Sequence, residues 1–249
     1  MIIALDTETT GLNPHLGDYA FMATWAHEDG VSHATMFGLD DPTTLIELVR
    51  TPTIEVVGHN FGFDVAFLAQ RGLVPCGPWH DTMIAAHVYN SDEPSKGLKA
   101  LAKKYLKREN TEEKKLEEWF LQNGMVARDK REYIKVPAEI IVPYAKADVE
   151  MTMSLFQFYK REGVIDDPVY KLEMQVLPVV VNIVREGMRV DKQFAKEKAM
   201  WAVAEVQRLL AQAKSEFGIE NLGSNQELGK FLFEKSKLEC KIYTPKGTP

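Results

Sequence analysis

Apolar positions in the first third of the chain fall in short runs separated by turn residues. Met1 to Thr9 opens with an apolar run that ends in alternating acidic positions, the pattern of a buried strand whose end projects polar groups. After a turn at Gly11-Leu12-Asn13-Pro14, the segments Tyr19 to Glu28 and Val31 to Phe37 flank Asp29-Gly30 and predict a hairpin. The sheet therefore begins with three antiparallel strands. Thr43 to Arg50 reads as a short helix, Ile54 to Gly58 as a buried strand, and Phe63 to Arg71 as a helix stopped by Gly72, a β-α-β-α alternation.

From His80 to Arg161 the pattern is mainly helical. Lys96 to Lys107, Glu112 to Gln122 and Pro137 to Lys160 are the clearest segments, with a polar stretch from Asn123 to Lys135. A Gly-Val-Ile-Asp-Asp-Pro stretch within Glu162 to Pro168 breaks this pattern and predicts a boundary, giving domains 1–165 and 166–249. Beyond it, Asp191 to Phe217 reads as one amphipathic helix with Phe194, Met200, Val203, Val206, Leu210 and Phe217 near one stripe and Gly218 as its stop. At about 1.5 Å per residue it would be roughly 40 Å long. The expected fold is α/β, a mixed sheet flanked by helices and followed by a mostly helical carboxyl-terminal segment.

A chain of 249 residues accommodates one large domain or two unequal ones, and 45% hydrophobic with 27% charged residues places it among soluble globular proteins. Cys76 and Cys240 lack metal-type spacing and form no disulfide framework, so a reducing compartment is expected. Apolar runs such as Met174 to Val184 are too short to span a bilayer, and the amino terminus enters a strand instead of a signal peptide. The expectation is an intracellular, cytoplasmic protein with no membrane partner. A net charge of −6 argues against binding nucleic acid by covering many phosphates with lysine and arginine. It is compatible with a nuclease that meets phosphate through metal ions, because clustered carboxylates hold those ions.

Candidate chemistry lies in the acids. Asp6 and Glu8 alternate on one strand, leave the same face and can share a cation. A hard divalent ion takes oxygen ligands in octahedral array, so further carboxylates must come from elsewhere. Asp64 follows Gly58-His59-Asn60 and opens the next helix, at a strand's carboxyl end. Tyr144 and Asp148 stand one turn apart on a later helix. Taken singly, an Asp-x-Glu pair reads as surface chemistry, Asp64 as a helix cap and Tyr144 with Asp148 as packing beside an acid. Their conjunction in this order points to one site.

Asp6-Thr7-Glu8-Thr9-Thr10-Gly11, Asn60-Phe61-Gly62-Phe63-Asp64 and Tyr144-Ala145-Lys146-Ala147-Asp148 resemble the three motifs of DEDDy exonucleases. The histidine branch would carry His where this chain has Pro143. His80-Asp81-Thr82-Met83 and Lys96-Gly97-Leu98-Lys99-Ala100-Leu101-Ala102 are similar to the proofreading domain of family A DNA polymerases. The stretches Glu186 to Asp191, Asn221 to Leu228 and Phe233 to Lys235, with the end Tyr243 to Pro249, resemble the start of the polymerase thumb. No palm or fingers sequence follows, so either the chain is a fragment or the polymerase is encoded in two pieces.

The resemblance implies a ribonuclease H-like fold and a metal-dependent 3′-5′ exonuclease that removes nucleoside 5′-monophosphates from single-stranded or frayed DNA 3′ ends. It implies two ions, Mg²⁺ or Mn²⁺, on Asp6, Glu8, Asp64 and Asp148, with Tyr144 orienting the attacking water by hydrogen bonding, since a phenol with a pKa of about 10 is a poor base at neutral pH. It also places Thr7, Leu12, Asn60 and Phe63 against the substrate, although core packing explains Leu12 and Phe63 nearly as well. His59, His80 and His87 read as structural. Lys96, Lys99, Lys103, Lys104 and Lys107 either guide a strand by charge or form a solvated helix face. Two alternatives stand beside this reading, a ribonuclease D-like RNA exonuclease and an assembly subunit that docks onto a separate polymerase chain.

Overall fold

The structure, a computed structural model, describes residues 1–109, 111–127 and 130–239. Cys240 and the stretch Tyr243 to Pro249 lie outside the described residues. Two compact units are present, Met1–Gly187 and Met188–Pro249.

The first unit is built on a five-stranded sheet of order β3-β2-β1-β4-β5, with β1 Ile2–Thr9, β2 Ala20–His27, β3 Ser32–Met36, β4 Glu55–Gly58 and β5 Trp79–Asp81. As the sequence predicts, β1 and β2 pair antiparallel, as do β2 and β3; β4 and β5 are parallel to their neighbours. The strand β5 falls in the stretch expected to be mainly helical. It has three residues, too few for a periodic signal, and pairing with β4 makes it a strand.

β1 lies at the centre, and alternation sends its side chains into two apolar layers. Ile3 and Leu5 pack with Leu45 and Val49 of α1 (Thr43–Arg50) and with Phe61, Val65 and Leu68 of α2 (Phe61–Ala69). Ile2 and Ala4 pack on the opposite face with Val149, Met153 and Phe156 of α6 (Ala138–Arg161). Between α2 and α6 the chain forms α3 (Thr82–Tyr89), α4 (Leu98–Leu101) with a widened π turn to Leu106, and α5 (Glu112–Gln122).

A short 3-10 turn at Val164–Asp166 interrupts the helical pattern, but α7 (Pro168–Glu186) remains part of the first unit. Val181 joins the α1–α2 core, and buried Tyr170 gives its hydroxyl to the backbone N–H of Asp81 as acceptor at 3.2 Å. Compactness thus ends the unit at Gly187, beyond the boundary expected after residue 165.

The second unit contains α8 (Lys192–Gln212), continued by a π turn to Phe217, and α9 (Asn225–Gly229), which winds on to Lys235. Asp191 caps α8 by accepting from the Phe194 N–H, and Gly218, at φ 69°, ends the element. The rings of Phe217 and Phe231 meet at 5.1 Å.

Candidate active site

The site forms where the carboxyl end of β1 meets α2, α4 and α6. Asp6 and Glu8 lie on the strand face that carries Ile2 and Ala4, the side packed by α6. A register shift between Glu8 and Thr9 loosens the pairing with β2 at this point, a device common beside active sites. From α6, Tyr144 and Asp148 are both buried, with 8% and 7% of their surfaces exposed, so the phenol and the acid share the inward face that their spacing predicts.

Asp64 arrives from the other layer. The helix α2 begins at Phe61, earlier than the sequence pattern suggests, so Asp64 sits inside its first turn. The cause is Asp81, whose carboxylate accepts from the N–H groups of Asn60 and Phe61 at 3.0 and 2.7 Å and also caps α3 through Met83 and Ile84. Asn60 adopts the left-handed conformation at φ 61°, a position asparagine tolerates. On β1, Thr7 points away from Asp6 and Glu8, and its N–H and hydroxyl both donate to Asp64 Oδ1 at 2.9 and 2.6 Å. Thr7 is itself buried, and its observed work is to hold Asp64.

The acids act on one another. Burial and then the charges of Asp64, Glu8 and Asp148 hold Asp6 well above the usual carboxylate range. Burial and Asp148 push Glu8 up to about 8, against the lowering influence of Lys99. Burial pushes Asp64 up to about 7, although both Thr7 bonds favour its ionised form. Burial, Asp148 and Glu8 raise the Tyr144 phenol well above its ordinary value.

Asp64 is turned to Thr7 and Asp148 to Lys99, so the oxygens are not gathered into a ready cage; among the described residues no group of three His, Cys, Asp or Glu could hold a metal ion. The donor set nevertheless fits a hard divalent ion, because carboxylates that repel one another in a buried pocket gain most from a shared cation.

Two residues here were not singled out by their sequence pattern. Lys99 donates to Tyr144 Oη at 2.8 Å and pairs with Asp148 at 3.4 Å and Glu113 at 3.3 Å. Tyr133, between α5 and α6, responds to the charge of Glu8, and burial raises its phenol. The other lysines of the group have partners on the protein: Lys103 meets Glu109, Lys104 meets Glu93, and Lys96 and Lys107 donate to backbone carbonyls. Lys103, Lys104 and Lys107 are exposed, so a solvated helix face describes them, whereas Lys99 turns inward.

Leu12 is 84% exposed, which removes core packing as its explanation, whereas Phe63 is half-buried against Phe67 with ring centroids 4.8 Å apart. Asn60 is exposed. His59 bonds Thr82 at 2.8 Å and His80 bonds Glu55 and Tyr170 at 3.1 and 3.2 Å, while His87 is exposed. Among the described residues no helix is long and apolar enough to cross a membrane.

A mixed sheet in this order, with acids converging on the end of its central strand, defines the ribonuclease H-like class of nuclease folds. Residues 2–163 match the family model described as 3′-5′ exonuclease of DNA polymerase A type. The chain belongs to this family of metal-dependent 3′-5′ exonucleases.

Among its relatives, DNA polymerase DpoZ of Salmonella phage PMBT28 is 29% identical, the match covering 99% of this chain and 40% of that protein. DNA polymerase I of Chloroflexus aurantiacus is 27% identical over 96% of this chain and 26% of that protein. The chain thus spans two fifths or less of these relatives' length. Brucella melitensis NrnC with bound Mg²⁺ superposes with a TM-score of 0.59 at 23% identity, over 75% of this chain and 86% of that one. The POL domain of Pol1 from M. smegmatis gives 0.68 at 18% identity, over 99% of this chain and 39% of that one. These last two are likenesses of fold.

Proposed function

We propose that the chain removes nucleoside 5′-monophosphates from DNA 3′ ends by two-metal-ion hydrolysis, as the proofreading part of a family A DNA polymerase. The observation that carries the proposal is the placement of Asp6 and Glu8 on the face of β1 packed by α6, beside buried Asp148, with Asp64 tied to the same strand by Thr7. Asp6, Glu8 and Asp148, with Asp64 from the opposite layer, would hold two divalent ions, Mg²⁺ or Mn²⁺. Such ions, when bound, make water nucleophilic near neutral pH and stabilise the departing 3′ oxygen. Thr7 fixes Asp64, and Tyr144 orients the water by hydrogen bonding, since its raised phenol is a donor and not a base.

Leu12, Phe63 and Asn60 take the terminal nucleotides, a role that suits the exposed Leu12; stacking on apolar side chains is tolerant of sequence at roughly 1–3 kcal/mol per base. Residues 1–165 supply this chemistry. The segment 166–249 corresponds to the start of the polymerase thumb, and a polymerase polypeptide, continuous or separate, is the partner this reading assigns. Bacterial and phage relatives support an intracellular setting.

An RNA substrate uses the same carboxylates, and one structural likeness is to NrnC bound to pGG. DNA is preferred because the sequence relatives are DNA polymerases. Release of mononucleotides from matched single-stranded DNA and RNA, with Mg²⁺ and with chelator, tests the proposal. Faster cleavage of RNA would overturn the DNA assignment, and release that persists in chelator would overturn the metal mechanism.

A further inference from the structure

Among the described residues, Lys99 is a cationic side chain that enters the acid cluster, and it arrives by a short route. Gly97 opens α4, Lys99 follows in its first turn, and the side chain, 31% exposed, reaches across to α6. Its ammonium donates to Tyr144 Oη at 2.8 Å, lies 4.4 Å from the centre of the same ring, and meets Asp148 Oδ2 at 3.4 Å and Glu113 Oε1 at 3.3 Å. One ammonium therefore joins α4, α5 and α6 at the phenol. A surface ion pair has no need of three partners on two other helices, and it would not be placed on a buried hydroxyl.

A phenol oxygen has one hydrogen to give and lone pairs to receive. Lys99 has donors only, so the bond between them can run in a single direction. With the ammonium on its lone pair, the phenol hydrogen is turned away from Lys99 and toward the carboxylate side of the site. Donation from a cation also withdraws electron density from the oxygen, which strengthens the phenol as a donor.

We propose that Lys99 is a positioning residue of the exonuclease: it fixes the direction of the Tyr144 hydroxyl and so sets the hydrogen bond that Tyr144 gives to the attacking water. The proposal rests on the hydrolytic reading above, in which Tyr144 orients that water. Lys99 acts through Tyr144, not on the substrate. Its loss lowers turnover and leaves substrate binding nearly unchanged, and the loss disappears once the Tyr144 hydroxyl is gone.

The experiment is a double-mutant cycle on the full chain with K99M, Y144F and the pair, measuring kcat and KM for single-stranded DNA in Mg²⁺, with K99R as the conservative variant. K99M is expected to lower kcat by about 10-fold with KM within about twofold, K99R to recover most of the loss, and K99M/Y144F to match Y144F alone. A second readout does not depend on activity: the ζ-carbon resonance of ¹³C-labelled Tyr144 at fixed pH, assigned by its disappearance in Y144F. It is expected to shift in K99M and to return in K99R. An active parent whose K99M keeps its kcat, or whose two single losses multiply in the pair, overturns this proposal, as does an unmoved Tyr144 resonance. A parent chain that releases no nucleotide overturns instead the hydrolytic reading on which it rests.

Discussion

Thr7 and Asp64 are joined twice through a single carboxylate oxygen, by the Thr7 backbone N–H at 2.9 Å and its hydroxyl at 2.6 Å. This pair links the two layers of the sheet: Thr7 lies on β1 between Asp6 and Glu8 but on the opposite face, so it draws the acid of α2 to the strand that carries the other two. Replacing Thr7 by valine keeps the backbone bond and removes the hydroxyl bond. Thr7→Val, nearly equal in volume, should leave the fold intact and lower Mg²⁺-dependent nucleotide release by about 10- to 100-fold, the value of one hydrogen bond to a charged group. Circular dichroism with the activity assay checks it, and parental activity in this variant would remove Thr7 from the site.

Asp6 feels all three of its acidic neighbours, Asp64, Glu8 and Asp148. That central position suits a ligand shared by two ions. Asp6→Ala is expected to cost at least about 10³-fold in turnover with substrate affinity little changed. Because the substitution also removes a buried charge that its neighbours oppose, the variant should melt no lower than the parent in chelator. A loss below about tenfold would exclude Asp6 as the shared ligand.

The acids were legible in the sequence because each lies within a local pattern: alternation on β1, a strand-to-helix junction at Asp64, and one helical turn between Tyr144 and Asp148. What the sequence pattern did not disclose depends on contacts distant along the chain. The start of α2 is set by Asp81, far along the sequence, whose carboxylate supplies the cap that Asn60 does not. The strand β5 exists through its pairing with β4. α7 stays with the first unit because Val181 and Tyr170 are buried there, which the break at Val164–Asp166 conceals. Lys99 reads as one of several lysines on a helical stretch until its reach to Tyr144 is seen.

The raised carboxylates make stability depend on pH with a definite sign. Glu8 is held at about 8 and Asp64 at about 7, both above their ordinary values, so the folded chain binds more protons than the unfolded chain between those limits and the usual carboxylate range. The contribution is whole when both states are protonated at low pH and is lost as pH rises through the folded values. In chelator, the melting temperature of the chain should therefore fall by at least about 4 °C between about pH 5 and about pH 8. Mg²⁺ binds the ionised folded form, so its stabilisation should be larger at the higher pH. A Mg²⁺-induced rise in melting temperature that is equal at both values would count against metal binding by these acids.

Asp81 offers the clearest separation of architecture from chemistry. Its side chain is 2% exposed and accepts from four backbone N–H groups, two at the start of α2 and two at the start of α3. Its hydrogen bonds fix the helix that presents Asp64, and its charge also helps to push Asp64 up. Asp81→Ala would strand those donors in a buried place, and a cost of about 3 kcal/mol or more in folding free energy is expected, since each unsatisfied buried group costs about 1–3 kcal/mol. Asp81→Asn keeps one acceptor oxygen and should cost less. Urea unfolding of the two variants gives the free energies, and metal titration of the folded fraction gives the consequence for the site. If Asp81→Ala unfolded at the parental urea midpoint, the cap would not be what starts α2 at Phe61, and the placement of Asp64 would need another cause.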